Sequence, residues 1–140
     1  MRPVFADTVY WVAEARLADR WRAAAREARR RLGHVGLVTT DEVLTEFLAA
    51  LAMGGPRVRS AAARAVRAML SGSNVRVMPQ SRSSFKRALA RYEARGDKGY
   101  SLQDCASMNL MEAESITRIL TNDHRFEQEG FTVLMKRNVA

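Results

Sequence analysis

The sequence predicts an α/β fold, in which a central parallel sheet of four to five strands is flanked by helices. Short apolar runs alternate along the chain with longer segments whose apolar residues recur at helical spacing. Strands that alternate with helices form parallel sheets that are covered on both faces. Because the chain has 140 residues, no internal repeat and no linker-like stretch, we predict a single domain over residues 1–140.

Five apolar runs are predicted as strands, and residues that break strands or begin helices follow most of them. The first run ends at Asp7, the third at Pro79 and the fourth at Asn122 and Asp123. The predicted strands cover residues 4–6, 35–38, 75–78, 116–121 and 131–134.

Helices are predicted between these strands from their apolar faces and their end signals. Thr39 and Glu42 have the spacing of a capping box, and the helix that follows presents an apolar face that includes Leu48. An earlier amphipathic helix begins its apolar face at Leu17 and stops at Gly33. The other predicted helical segments are 8–15, 57–70, 81–95, 102–114 and a single turn at 124–128.

The charge of the chain is strongly positive but unevenly distributed. The net charge is +8, and residues 16–31 contain seven arginines while residues 57–95 contain nine arginines and Lys86. The remaining segments are net negative. Basic blocks indicate a polyanionic partner, although a GC-rich genome that favours arginine codons also accounts for the charge. A metal-dependent nuclease needs a cluster of acids with basic residues around it, whereas a module that only binds nucleic acid has no need of buried acids. The charge pattern therefore favours a nuclease.

Cysteine, histidine and apolar content exclude several classes of protein. Cys105 is the single cysteine, so an internal disulfide is excluded and a reducing cytoplasm is predicted. Two histidines and one cysteine argue against a structural zinc site. The apolar run of residues 9–13 is too short to span a bilayer, so no membrane association is predicted. Cys105 itself is interpreted as a small buried apolar residue and not as a nucleophile.

Two carboxylates stand at equivalent places in the predicted sheet. Asp7 follows the first strand and Asp123 follows the fourth. Ligands of open α/β sheets bind outside the carboxyl ends of the strands, so both acids are expected in that crevice if their strands are neighbours. The alternative is that each aspartate only caps the helix that follows it.

Two further acids lie on predicted helices. Asp104 shares one face of an almost wholly apolar helix with Met108 and Met111, and an acid buried there needs a hydrogen bond or a cation. A capping box with Ser101 is the alternative, and the two roles are compatible. Glu46 falls at the boundary between the core and the solvent, where an ordinary surface glutamate is the alternative.

Several carboxylates in one crevice repel each other and take up protons unless a cation is present. Mg²⁺ or Mn²⁺ prefers carboxylate and water ligands, and the chain offers no soft ligand set. Such an ion can activate water and stabilise the leaving oxygen of a phosphodiester.

Four segments of the chain, taken in order, resemble the motifs of PIN domains, and most closely those of VapC-type toxins. The more specific motifs are Ser-Leu-x-Asp-Cys and Asp-x-x-Phe-x-x-x-Gly-Phe, and the resemblance spans nearly the whole chain. The matching segments are residues 4–8, 39–46, 97–105 and 121–131.

The resemblance implies a catalytic quartet that holds Mg²⁺ or Mn²⁺ and activates water for endonucleolytic cleavage of RNA. The quartet consists of Asp7, Glu46, Asp104 and Asp123. Thr8 matches a hydroxyl position that supports the metal site, and Asp97 matches a loop acid with a structural or auxiliary role.

One position departs from the pattern. His124 is followed by Arg125, where relatives often have arginine and then histidine. We expect this exchange to leave Asp123 unaffected.

The resulting prediction is a Mg²⁺-dependent endoribonuclease that is the toxin of a type II toxin–antitoxin pair in the cytoplasm. Its predicted partners are an RNA substrate, a cognate antitoxin protein that blocks the acids, and a second copy in a homodimer. An exposed basic helix face supplies candidate contacts to RNA phosphates, or is only a solvated surface. These candidates are Arg22, Arg26, Arg29 and Arg30.

Two other functions compete with this prediction. The first is a non-catalytic basic module that binds RNA or DNA and uses its acids only as helix caps. The second is a phosphatase with an aspartyl nucleophile after the first strand. The phosphatase is disfavoured because its second aspartate would stand at position 9, which is Val9.

Overall fold

A computed structural model describes residues 2–72 and 74–136. Its sheet has five strands in the order β3-β2-β1-β4-β5, and every neighbouring pair is parallel. The strands are β1 (Val4–Ala6), β2 (Leu37–Thr40), β3 (Val75–Met78), β4 (Arg118–Leu120) and β5 (Thr132–Val133). The predicted α/β class with a parallel sheet is therefore confirmed.

Helices connect the strands throughout the described part of the chain. The helices are α1 (Thr8–Ala15), α2 (Arg22–Leu32), α3 (Asp41–Ala50), α4 (Pro56–Ser71), α5 (Arg82–Ala94), α6 (Leu102–Ala113) and a 3₁₀ helix (His124–Glu129). None of the helices within residues 2–72 and 74–136 combines the length and the apolar content needed to cross a membrane.

The core lies on both faces of the central strands. All three residues of β1 are fully buried, and Phe5 pairs in register with Val38 on one side and Ile119 on the other. Met108 and Met111 of α6 are also fully buried, as is Cys105. Burial of these apolar side chains holds α6 against the sheet, and with it the acid Asp104 at its first turn.

The boundary between β2 and α3 corrects the prediction for residues 35–38 and 39–42. The strand runs to Thr40, and it is Thr40, not Thr39, that caps the helix by accepting a hydrogen bond from Val43 N at 3.1 Å. The Thr39 hydroxyl instead donates to the carbonyl oxygen of Ala6 in β1 at 2.9 Å. Two adjacent β-branched residues continue a strand readily, so the cap falls at the second.

The predicted apolar face of residues 17–32 is wrong at its first member. Leu17 is 83% exposed, and α2 begins only at Arg22. The carboxylate of Asp19 accepts a hydrogen bond from Trp21 N and forms a turn that separates α1 from α2. Leu48 of α3 is likewise 38% exposed. Helical spacing alone therefore assigned both leucines to the core, although they lie at the surface.

Candidate active site

The pairing of β1 with β4 brings two of the predicted acids to one edge of the sheet. Phe5 is in register with Ile119 and Ala6 with Leu120, so both strands end at the same level. Asp7 follows β1 directly, and its backbone N–H donates to the carbonyl of Leu120 at 3.1 Å. The segment that carries Thr121 and Asp123 leaves β4 beside it.

Asp7 is held by three hydrogen bonds from three different parts of the chain. Its Oδ1 accepts from Thr8 N at 2.9 Å and from Gln103 Nε2 at 3.4 Å, while Oδ2 accepts from the Thr121 hydroxyl at 2.9 Å. The side chain therefore caps α1, as the alternative interpretation proposed, and also faces α6 and the end of β4. Capping and a place in a site are compatible at this residue.

The environment of Asp7 disfavours its ionised form. Burial raises its pKa to about 6, the hydrogen bonds from Thr8 and Thr121 act against that rise, and the negative charges of Asp104 and Glu46 add to it. Asp7 is only 7% exposed. A buried acid beside two other acids binds a proton or a cation more readily than an isolated surface aspartate does.

Asp104 is fixed at the first turn of α6 by a reciprocal capping box. Its Oδ2 accepts from Ser101 N at 2.9 Å, and the Ser101 hydroxyl accepts from Asp104 N at 3.0 Å. The predicted capping box is confirmed, and the side chain of Asp104 is nonetheless only 9% exposed. Oδ2 also accepts a hydrogen bond from the guanidinium of Arg125, whose Nη2 lies 3.4 Å away.

Asp123 forms a bidentate ion pair with Arg125. The Nε atom of Arg125 lies 3.0 Å from Oδ1 and 3.1 Å from Oδ2, and Nη2 lies 2.7 Å from Oδ2. Burial alone would raise the pKa of Asp123, but the side-chain and backbone hydrogen bonds from Arg125 outweigh it and hold that pKa below its usual value. Position 125 is thus within reach of the Asp123 carboxylate, whereas His124 is exposed and pairs with Glu127. Whether the order His124-Arg125 alters the acid relative to other family members stays a prediction.

All four acids of the predicted quartet line one cleft of about 490 Å³, which we call the acidic cleft. Glu46 contributes from α3 and is exposed, whereas Asp7 and Asp104 are buried. Apart from these acids, the acidic cleft is lined by Thr8, Val9, Val12, Gly99, Ser101, Gln103, Thr121, Asn122 and Arg125. Four distant parts of the chain thus supply carboxylates to the same crevice.

The carboxylates share the acidic cleft without forming a ready-made set of metal ligands. In the described ranges 2–72 and 74–136, no three Asp, Glu, His or Cys side chains converge closely enough to hold a metal ion. Arg125 pairs with two of the acids instead. Asp97, the predicted auxiliary acid, is exposed and does not line the acidic cleft.

The donor chemistry of the acidic cleft fits a hard divalent cation. Its potential ligands are carboxylate oxygens and hydroxyls, and no histidine or cysteine lines it in the part of the chain that the structure describes. The hydroxyl of Thr8 is buried and has no hydrogen-bond partner among the described residues. A buried polar atom without a partner beside Asp7 is what an additional ligand would satisfy.

The four arginines predicted as candidate RNA contacts all lie on α2, away from the acidic cleft. Arg22 donates to the carbonyl of Glu14 at 2.6 Å, and Arg29 donates to the carbonyls at the C-terminal end of α2 and beyond it, Gly33 and Val35. Arg30 forms an exposed ion pair with Glu27, and Arg26 is exposed. Contact between these arginines and RNA stays a prediction.

Three residues of the acidic cleft were missed by the reasoning from sequence: Gln103, Thr121 and Arg125. Each lies within two residues of a predicted acid, so local spacing was the available signal. Thr121 follows β4 directly, and its hydroxyl accepts a hydrogen bond from Asp123 N at 3.2 Å, which is typical of a polar residue that shapes a strand end.

Residues 4–131 match the sequence model of one protein family, described as the PIN domain. The chain belongs to the PIN domain family. The resemblance drawn from the motifs is therefore confirmed, and so is the PIN-like fold.

Two solved structures place this PIN domain among its neighbours. VapC20 of Mycobacterium tuberculosis, described as a Sarcin–Ricin loop cleaving toxin, is 25% identical with a TM-score of 0.80, covering 95% of this chain and 99% of VapC20. FitAcB from Neisseria gonorrhoeae is 13% identical with a TM-score of 0.64, covering 94% of this chain and 96% of the other, and shows the shared fold alone. No curated protein matches the sequence. The family and the VapC20 neighbour confirm the predicted class of protein, a nuclease of the toxin type.

Proposed function

We propose that this PIN domain is a metal-dependent endoribonuclease and the toxin of a type II toxin–antitoxin pair, with the acidic cleft as its active site. The observation that carries the proposal is that Asp7, Glu46, Asp104 and Asp123, drawn from four elements, line one cleft of a PIN fold. Metal-dependent hydrolysis of a phosphodiester needs such a group of carboxylates.

Asp7, Asp104, Asp123 and Glu46 would hold the ion, and we expect Mg²⁺ or Mn²⁺ because the donors are hard oxygens. Such an ion, when bound, supplies an acidified water as nucleophile and stabilises the charge on the leaving oxygen. The Thr8 hydroxyl, buried beside Asp7, would support this ligand set.

The different exposure of Asp7 and Glu46 indicates different roles for these two acids. Asp7 is buried and accepts hydrogen bonds from three donors, so its carboxylate would hold the ion in a fixed position. Glu46 is exposed at the rim of the acidic cleft. Its Oε atoms are therefore the group to which we assign removal of a proton from the attacking water.

RNA is the proposed substrate because VapC20, the 25% identical neighbour, is described as cleaving the Sarcin–Ricin loop, which is an RNA. The net charge of +8 also favours a polyanion. The competing function, a basic module without catalysis, is favoured by one observation, namely that Asp7 and Asp123 both cap helices.

The proposal includes an antitoxin, a homodimer and action in the cytoplasm, where the buried Cys105 stays a free thiol. The turn after α1 and the facing sides of α3 and α4 form an apolar groove of about 880 Å³, with Leu17, Phe47, Leu51 and Val58 among its lining residues. A helix of the antitoxin with an apolar face would cover this groove.

The homodimer is tested separately, by sedimentation of the isolated chain.

The test of catalysis is cleavage of total RNA and of a synthetic Sarcin–Ricin loop by the purified chain. We expect cleavage with Mg²⁺ or Mn²⁺, none with EDTA, and a loss of about 100-fold or more in Asp7→Asn and Asp104→Asn. Glu93→Gln, which alters an exposed acid of α5 away from the acidic cleft, is the matched control and should cleave normally. Equal products from all of these samples would reject the hydrolase and favour the binding module.

A further inference from the structure

The guanidinium of Arg125 lies inside the acidic cleft and uses all its nitrogen atoms on groups of that cleft. Nε and Nη2 bind the carboxylate of Asp123, Nη2 also reaches Asp104, and Nη1 donates to the carbonyl of Gly99 at 2.5 Å. The Nε and Nη2 atoms thus bridge acids from two elements, α6 and the start of the 3₁₀ helix. Such a fork is specific, because a lysine at this position could not reproduce it.

The same oxygens are the ones that a divalent cation would need. Oδ2 of Asp104 and both carboxylate oxygens of Asp123 accept hydrogen bonds from Arg125. The lone pairs that these oxygens direct at the guanidinium are not available to a metal ion at the same time, so the two cations compete for them. Two cations are also unfavourable as close neighbours, because like charges repel most where water is partly excluded.

Arg125 can leave without disturbing the core. Its side chain is 42% exposed, whereas the side chains of Asp104 and Asp123 are 9% and 25% exposed. Its stem belongs to the short 3₁₀ helix, in which Phe126 and not Arg125 is fully buried. A change of the Arg125 rotamer would therefore remove the guanidinium from both acids, while their backbone hydrogen bonds from Ser101 and Arg125 remain.

We propose that Arg125 is a built-in counter-ion of the acidic cleft, which competes with the divalent cation for Asp104 and Asp123 and swings out when the cation binds. This inference rests on the proposed function, since it takes the acidic cleft to be the metal site. It explains why four acids line one cleft while no three of them converge on a metal position in the part of the chain that is described.

The experiment measures Mn²⁺ affinity of the full chain at pH 7.5 by titration calorimetry and by the electron paramagnetic resonance signal of free Mn²⁺. Arg125→Gln removes the competitor and should bind Mn²⁺ about three- to tenfold more tightly than the unaltered chain. Arg87→Gln is the matched control, because it removes the same charge from an exposed arginine of α5 that bonds only to Ser83 among the described residues. It should change the affinity by less than about twofold.

Two further samples keep the result interpretable. Arg125→Lys retains the charge without the fork and should fall between the unaltered chain and Arg125→Gln. In the unaltered chain, titration with Mg²⁺ should shift and broaden the ¹⁵N resonance of Arg125 Nε, because the ion pair with Asp123 is lost. This measurement uses the unaltered chain, so its result does not depend on whether a variant folds.

The outcomes separate this inference from the proposed function. Equal Mn²⁺ affinity in the unaltered chain and Arg125→Gln, with binding abolished in Asp104→Asn, would overturn the role of Arg125 and leave the metal site standing. An Arg125 Nε resonance unmoved by saturating Mg²⁺ would do the same. If neither the unaltered chain nor Arg125→Gln binds Mn²⁺, both the inference and the metal-dependent function are rejected.

Discussion

The hydroxyl of Thr121 donates to Oδ2 of Asp7 at 2.9 Å and accepts from the backbone N–H of Asp123 at 3.2 Å. One fully buried side chain at the end of β4 therefore orients an acid that follows β1 and the backbone of an acid that follows β4. The two carboxylates are 116 positions apart in the chain, and this link couples the position of each to the other.

Replacement of Thr121 by valine tests that link. The substitution keeps the shape of the side chain but removes the hydrogen bond that favours ionised Asp7, so the pKa of Asp7 should rise above about 6. Mn²⁺ affinity should then decrease more at pH 6 than at pH 8, and the free energy of unfolding should decrease by about 1–2 kcal/mol.

Thr132→Val supplies the control for this change, because Thr132 is an exposed residue of β5. An unaltered pH profile of Mn²⁺ binding in Thr121→Val would show that the hydroxyl does not tune Asp7.

Asp7 is expected to destabilise the metal-free fold at neutral pH. Its pKa of about 6 in the folded chain lies above the ordinary value of 3.8, so the folded state holds its proton more tightly than the unfolded state does. The contribution of Asp7 to stability should therefore decrease as the pH rises from about 4 to about 6, by up to about 3 kcal/mol, and then level off.

Asp7→Asn removes this titration and can retain the contacts to Thr8 and Thr121. Without metal, the variant should be more stable than the unaltered chain at pH 8, by up to about 3 kcal/mol, and the difference should shrink towards zero near pH 4. Urea unfolding across this pH range is the measurement. A variant that is less stable at every pH would contradict the raised pKa.

A buried ion-pair network anchors the 3₁₀ helix that carries Arg125. Arg91 Nη2 lies 2.6 Å from Glu129 Oε1, and both side chains are only 9% exposed. Arg95 and the Tyr100 hydroxyl also donate to Glu129. Glu129→Gln should reduce the free energy of unfolding by about 3 kcal/mol, because it leaves Arg91 with less compensation for its buried charge.

Glu127→Gln is the matched control, since Glu127 lies on the exposed side of the same helix and pairs with His124. Its effect should be within about 0.5 kcal/mol. Burial opposes ionisation of Glu129, but hydrogen bonds from Arg95, Arg91 and Tyr100 outweigh it and hold its pKa below 4.5. Its stabilisation is thus present above about pH 4.5 and lost as the pH falls through the lowered pKa, so the penalty of Glu129→Gln should shrink in acid. A penalty that does not depend on pH would contradict this account.

Local patterns predicted the elements well and their boundaries less well. The alternation of apolar runs and helical faces predicted all five strands. Burial makes the runs of the central strands β1 and β2 mainly apolar, while the edge strand β3 is partly exposed. The choice between Thr39 and Thr40 could not be made locally, since either hydroxyl can cap the helix. It depends on a contact between Thr39 and Ala6, which are 33 residues apart.

The positions of Asp7, Asp104 and Asp123 beside strand ends and at a helix start follow from the amino-acid sequence alone, because strand ends and capping boxes are encoded within a few residues. Only the tertiary structure decided that these acids face one cleft with Glu46, that Thr121 joins two of them and that Arg125 occupies the space between two. The physical reason is strand order: the arrangement β3-β2-β1-β4-β5 results from how the helices pack over the whole sheet, and no short segment contains that information.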